Sequence, residues 1–169
     1  MTKQDEVKWL SAEERAAWLS LGALMNKLPA ALDAQLQEDE GLSYFEYMIL
    51  AMLSEQEDRS MQMSDLANLI AGSLSRLSHA AKRLENQGYM WRERMPGPGR
   101  KTRATITQKG YDKVVAAAPG HVTRVRELVI DSASPEQLQA VSEVLLTILR
   151  KIDPEHPLAG ASDSQCLEA

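Results

Sequence analysis

Leu74-Ser75-Arg76-Leu77-Ser78-His79-Ala80-Ala81-Lys82-Arg83-Leu84-Glu85 divides into two faces when wound as an α-helix. Spacings of three and four put Leu74, Leu77, Ala81 and Leu84 on one stripe, expected to pack inward. Ser75, Arg76, His79, Lys82 and Arg83 then face outward. Ser73 is the expected N-cap and Gly88 the stop, so the helix is predicted over 74–87. A short helix carrying Leu66, Ala67, Leu69 and Ile70, capped by Ser64, precedes it across the tight connection Ala71-Gly72-Ser73. Two helices joined in this way make a helix-turn-helix unit.

An outward face of this kind suits the major groove of DNA. Short hydroxyls let the first turn approach closely, an arginine bonds a guanine edge in two places, and a lysine meets phosphate. The expected contacts are Arg76 to a base, with Ser75, Ser78 and His79 beside it, and Lys82 and Arg83 to phosphate. The free amides near Ser73 offer a further phosphate site.

Downstream, Tyr89 to Met95 and Thr102 to Thr107 read as two strands of a hairpin. Its tip, Pro96-Gly97-Pro98-Gly99-Arg100-Lys101-Thr102-Arg103, is stiffened by two prolines and holds three cations, Arg100, Lys101 and Arg103. An arginine on a thin hairpin fits a narrow minor groove, where the negative potential is enhanced.

Further out, Ser11-Ala12-Glu13-Glu14 and Ser43-Tyr44-Phe45-Glu46 are capping boxes that open helices. Pro29 is expected to kink or interrupt the first helix, and Ser54 to Ser60 to form a loop. A helix from about Gln108 is expected to be disturbed at Pro119-Gly120, and Ser134-Pro135 opens the last one. The fold class is therefore mainly α with a small antiparallel β-hairpin, a winged helix-turn-helix with N- and C-terminal dimerisation helices. The expected divisions are an N-terminal dimerisation helix over 1–40, a DNA-binding unit over 41–113, C-terminal dimerisation helices over 114–152 and a disordered tail over 153–169. The terminal helices carry apolar faces that so small a unit cannot cover, which points to a second copy.

The chain of 169 residues has a net charge of −5, which as an average opposes nucleic-acid binding. The distribution reverses that. Ser60 to Lys113 holds ten Lys/Arg against four Asp/Glu, and the remaining residues hold nine against twenty. A basic centre between acidic flanks fits one surface facing phosphate. The rival from another class is a winged-helix protein–protein adaptor, which accounts for the acidity but not for the concentration of cations.

No run approaches the ~20 apolar residues of a membrane span, and the polar, acidic N-terminus is not expected to act as a signal peptide. With a single cysteine, Cys166, the expectation is a cytoplasmic protein without an internal disulfide. Cys166 lies in the expected tail beside the acidic Glu168, a poor setting for a reactive thiolate. His79, His121 and His156 show no metal-ligand spacing, so neither a metal site nor a cofactor is expected. No phosphate-cradling glycine loop or nucleophile elbow occurs, and no enzymatic activity is expected.

From Ser43 to Gly110 the sequence resembles the multiple-antibiotic-resistance-regulator (MarR) family of winged helix-turn-helix regulators. The matching parts are Ser75-Arg76-Leu77-Ser78-His79, Arg83-Leu84-Glu85-Asn86-Gln87-Gly88 and Ile106-Thr107-Gln108-Lys109-Gly110, and the helix order fits from about Trp9 to Lys151. Arg100 matches the arginine of the family's Asp-x-Arg wing motif, while Pro98 stands where the bracing Asp would be. The resemblance implies a homodimer on a pseudo-palindromic operator in double-stranded DNA, one recognition helix per half-site. It also implies a repressor released by a small aromatic or anionic effector bound between the dimerisation and DNA-binding parts. Trp18, Tyr44, Tyr47 and Met48 are the candidates to line that site.

Overall fold

The computed structural model describes residues 7–70, 72–97, 99 and 101–160. The elements are α1 (Ala12–Glu40), α2 (Tyr44–Ser54), β1 (Ser60–Gln62), α3 (Met63–Leu69), α4 (Leu74–Asn86), β2 (Met90–Arg94), β3 (Thr102–Ile106), α5 (Gln108–Leu128), α6 (Pro135–Ile152) and α7 (Pro157–Gly160). A 3-10 turn, Ile130–Ser132, joins α5 to α6. The strands form one antiparallel sheet in the order β1-β3-β2.

Capping chemistry starts the long helices where the sequence indicates. The Ser11 hydroxyl accepts from the Glu14 amide at 3.2 Å, and the Glu14 carboxylate accepts from the Ser11 amide at 2.7 Å. Ser43 repeats this arrangement for α2, and Ser134 followed by Pro135 repeats it for α6. At the end of α4, Gly88 takes a φ of +74°. The Gly88 and Tyr89 amides there satisfy the Glu85 and Leu84 carbonyls, both at 2.9 Å.

Several expectations are corrected. Pro29 and Pro119 lie inside α1 and α5, and each helix runs through as one element. A proline removes a single amide donor, and the ladder survives where neighbouring turns are anchored. Leu32 and Leu36 are buried beyond Pro29, and the Thr123 hydroxyl donates to the Pro119 carbonyl at 2.9 Å. The run from Ser54 ends in a strand, since Ser60 pairs with Thr105 and Gln62 with Arg103. Three residues are too few to show alternation in sequence. Because β1 runs directly into α3, the helix starts on Gln62, and Ser64 lies in its first turn rather than capping it.

One core gathers Leu36 and Leu42, Ile49, Leu50 and Leu53 of α2, Met63 and Leu66 of α3, and Met90, Ala104, Ile106 and Val114. Helix α4 adds Leu77, Ala80, Ala81 and Leu84 to it. Emptying a fully buried leucine here to alanine costs about 2–5 kcal/mol. Leu74, expected in the stripe, is 56% exposed, because the first turn of α4 extends past the core; Ala80 is buried instead.

Nothing on α6 is buried, and Val141, Val144, Leu145, Ile148 and Ile152 remain exposed on it. Trp18, Leu19, Leu24 and Met25 on the first half of α1 are exposed as well. The expected tail is partly structured. Past Asp153, α7 packs on α6, Arg150 Nε donates to the Ala159 carbonyl at 2.8 Å, and His156 and Ala159 are buried. Cys166 and the rest of the expected tail from 161 lie outside the described residues. Among the described residues, no helix is long and apolar enough to cross a membrane.

Candidate nucleic-acid interface

The buried stripe of α4 fixes which way its other faces point. Ser75, Arg76, Ser78, His79, Lys82 and Arg83 are all exposed. Ser73 caps the helix, its hydroxyl accepting from the Arg76 amide at 3.2 Å.

Two of the cations are engaged from α2, which periodicity within α4 could not reveal. Arg76 holds its Cζ 4.1 Å from the centre of the Phe45 ring. Arg83 Nε donates to Glu46 Oε1 at 2.7 Å, with side-chain exposures of 58% for Arg83 and 8% for Glu46. The other Glu46 oxygen, Oε2, accepts from the Ser43 amide at 3.0 Å and hydroxyl at 2.7 Å. Burial alone would raise the Glu46 carboxyl; the Ser43 bonds and the Arg83 guanidinium outweigh it and hold the group below its ordinary value. Lys82 has no ion-pair partner among the described residues.

The hairpin is fastened to the body by two pairs missed in sequence. Arg92 grips Glu85 of α4 with two bonds, Nε to Oε1 at 3.0 Å and Nη2 to Oε2 at 2.7 Å. The bonds from Arg92 lower the Glu85 carboxyl, and those to Glu85 raise the Arg92 guanidinium. Arg103, expected near the tip, sits in the central strand opposite Glu93 and Gln62 and pairs with Asp58 ahead of β1. Lys101 is exposed, and its carbonyl accepts from the Met95 amide at 2.9 Å. Arg100 and Pro98 lie outside the described residues. The exposed Arg94 on β2 is a further cation that the strand pattern alone did not mark.

The four residues proposed to line an effector site are divided. Tyr44 and Tyr47 flank His121 of α5, with ring centres 5.9 and 4.6 Å away. Burial raises both phenols and lowers the imidazole. Met48 lies half-buried against the core. Trp18 is 58% exposed. Tyr44 is tied to α1 through its amide, which donates to Asp33 at 2.8 Å. At 1.5 Å per residue, Trp18 lies roughly 22 Å along α1 from that point. A surface cavity of about 440 Å³ lies elsewhere, lined by Glu85, Arg92, Glu93, Arg94 and Thr102. Among the described residues no group of three or more His, Cys, Asp or Glu is gathered to hold a metal ion.

Known proteins share this fold. The transcriptional regulator SarA/Rot family matches residues 31–116, from the second half of α1 into α5. Sco3205 of Streptomyces coelicolor, a MarR family transcriptional regulator with a crystal structure in complex with DNA, is 37% identical. It superposes with a TM-score of 0.84, covering 92% of this chain and 98% of that one. The chain belongs to the MarR family.

A second MarR family regulator of the same organism, AbsC, is 35% identical with a TM-score of 0.81, over 88% of this chain and all of its own. The transcriptional repressor MprA of Escherichia coli (strain K12) is 23% identical over 118 residues, 69% of this chain and 67% of the repressor. The winged helix of this MarR family member is thus that of a transcriptional regulator, not an enzyme.

Proposed function

We propose that this MarR family chain is a homodimeric repressor that binds a pseudo-palindromic site in double-stranded DNA and is released by a small aromatic or anionic ligand. The outward face of α4 carries the reading: Ser75, Arg76, Ser78, His79, Lys82 and Arg83 are exposed along one helix whose opposite side is locked into the core. The DNA held by the similar Sco3205 supports a duplex partner, and the name of MprA supports repression.

Each residue has a role in this account. Arg76 takes a base edge, with Ser75, Ser78 and His79 beside it. Lys82 meets phosphate. Arg83 does so through the terminal nitrogens left over by its bond from Nε to Glu46. The amides above Ser73 take another phosphate. Arg100, Lys101 and Arg103 supply the wing, with Arg100 for the minor groove and Arg103 restrained by Asp58. The exposed apolar faces of α6 and of the first half of α1 are where a second copy packs. Tyr44, Tyr47 and Met48, near the junction of α1, α2 and α5, are the effector wall, with Trp18 apart from them within one chain. Such a regulator works in the cytoplasm.

The test is a salt titration of binding to a duplex selected by the protein from a random pool. Counterion release predicts a linear fall of log affinity against log salt, at roughly 0.9 per phosphate contacted. A protein that selects no duplex and binds none at low salt is an adaptor instead.

A further inference from the structure

Phe45 is the only phenylalanine in the sequence, and it sits in the first turn of α2 just past the Ser43 cap. One side of its ring carries the Arg76 guanidinium, with Cζ 4.1 Å from the ring centre. Its edge lies against the turn that joins α3 to α4: a Cβ added at Gly72 would stand 2.9 and 3.0 Å from ring carbons Cζ and Cε2. Glycine at 72 is what lets the ring come so close. The next residue of α2, Glu46, holds Arg83, seven positions further along α4. A single turn of α2 therefore fixes the direction of both arginines.

The two grips differ in what they leave free. The ion pair of Arg83 takes its Nε and leaves only the terminal nitrogens for a partner. A ring beneath it occupies only the face, leaving the N–H fork on the edge open for two-point bonding. An arginine so held also keeps fewer rotamers to lose on binding.

We propose that Phe45 is a specificity-positioning residue, the platform that holds the Arg76 guanidinium in place to read a base edge. This rests on the reading of α4 as the DNA-facing helix, and it assigns part of the sequence discrimination to a residue that touches no DNA.

The experiment uses the full chain and a duplex selected by the wild-type protein from a random-sequence pool, together with the same duplex changed one base pair at a time. Phe45→Leu keeps an apolar side chain in place and removes the π face. It is expected to lower affinity for the selected duplex about two- to fivefold. Discrimination should flatten at the same base pair that Arg76→Ala flattens, while binding to an unrelated duplex stays unchanged. Phe45→Tyr should restore the wild-type profile, and Phe45→Leu should add nothing in an Arg76→Ala background. Gly72→Ala, which displaces the ring while keeping it in the chain, should give the Phe45→Leu profile and serves where Phe45→Leu folds poorly. Equal losses on selected and unrelated duplexes, or a full loss in the Arg76→Ala background, would overturn the platform. A wild-type protein that selects no duplex would overturn the reading of α4 and the platform together. A wild-type protein that selects one, beside a Phe45→Leu profile identical to its own, removes the platform alone.

Discussion

Arg76 and Lys82 are both exposed on α4, yet they should behave differently when removed. A bidentate base contact confers discrimination, so Arg76→Ala should cost roughly 1–3 kcal/mol on the selected duplex and relax specificity at one base pair. A phosphate contact carries no sequence information. Lys82→Ala should weaken all duplexes alike and reduce the salt slope by about one. Competition binding with single-base-pair variants separates the two. Glu46 makes a prediction in stability. Its carboxyl lies below the ordinary value of 4.5. Its pairing therefore stabilises the fold above that value, and the contribution is lost as pH falls through the lowered one. Glu46→Gln should cost roughly 1–3 kcal/mol at neutral pH. Thermal melts across pH should show the gap between variant and wild type closing in acid; a gap independent of pH would contradict the charged pairing.

Between elements, the α2–α5 contact has a titrating group at its centre. His121 lies against Tyr44 and Tyr47, its Nδ1 buried without a hydrogen-bond partner among the described residues. Burial depresses its pKa below the ordinary 6.5. The unfolded chain therefore takes up the proton first, and stability falls as pH drops below that value. His121→Phe keeps the ring contact and removes the proton site, so its melting temperature should stay flatter between about pH 6.5 and 5 than that of the wild type. Equal slopes would show that the imidazole stays solvated. The local rules that sequence carries also belong to this scale. Ser11, Ser43, Ser73 and Ser134 each cap a helix because the bond is made within three residues. The winged order followed from such signals. What escaped were partners on different elements: Arg83 and Glu46, Arg92 and Glu85, Arg103 and Asp58, and the pairing of β1 with β3. Periodicity gives a face but not what faces it. Pro29 misled as an interruption because the packing beyond it, at Leu32 and Leu36, holds a helix whose ladder lacks one bond.

In the whole molecule, the compact unit around α2 to β3 leaves the apolar side of α6 and the first half of α1 uncovered within one chain. A second copy covering Val144, Leu145 and Ile148 would make a symmetric pair with two α4 helices facing one duplex. Leu145→Glu should shift the mass in sedimentation towards the monomer and weaken binding to the two-half-site duplex far more than to a half-site. A variant that stays dimeric places the interface elsewhere. The central claim, two α4 helices in successive major grooves with Arg76 on a base edge, is met most directly by methylation protection of guanine N7 on the selected duplex. Two protected clusters about 10 base pairs apart are expected, on one side of the helix. Arg76→Ala should lose protection at a guanine in each, and Lys82→Ala should keep both. A single cluster, or protection unchanged by Arg76→Ala, would contradict it.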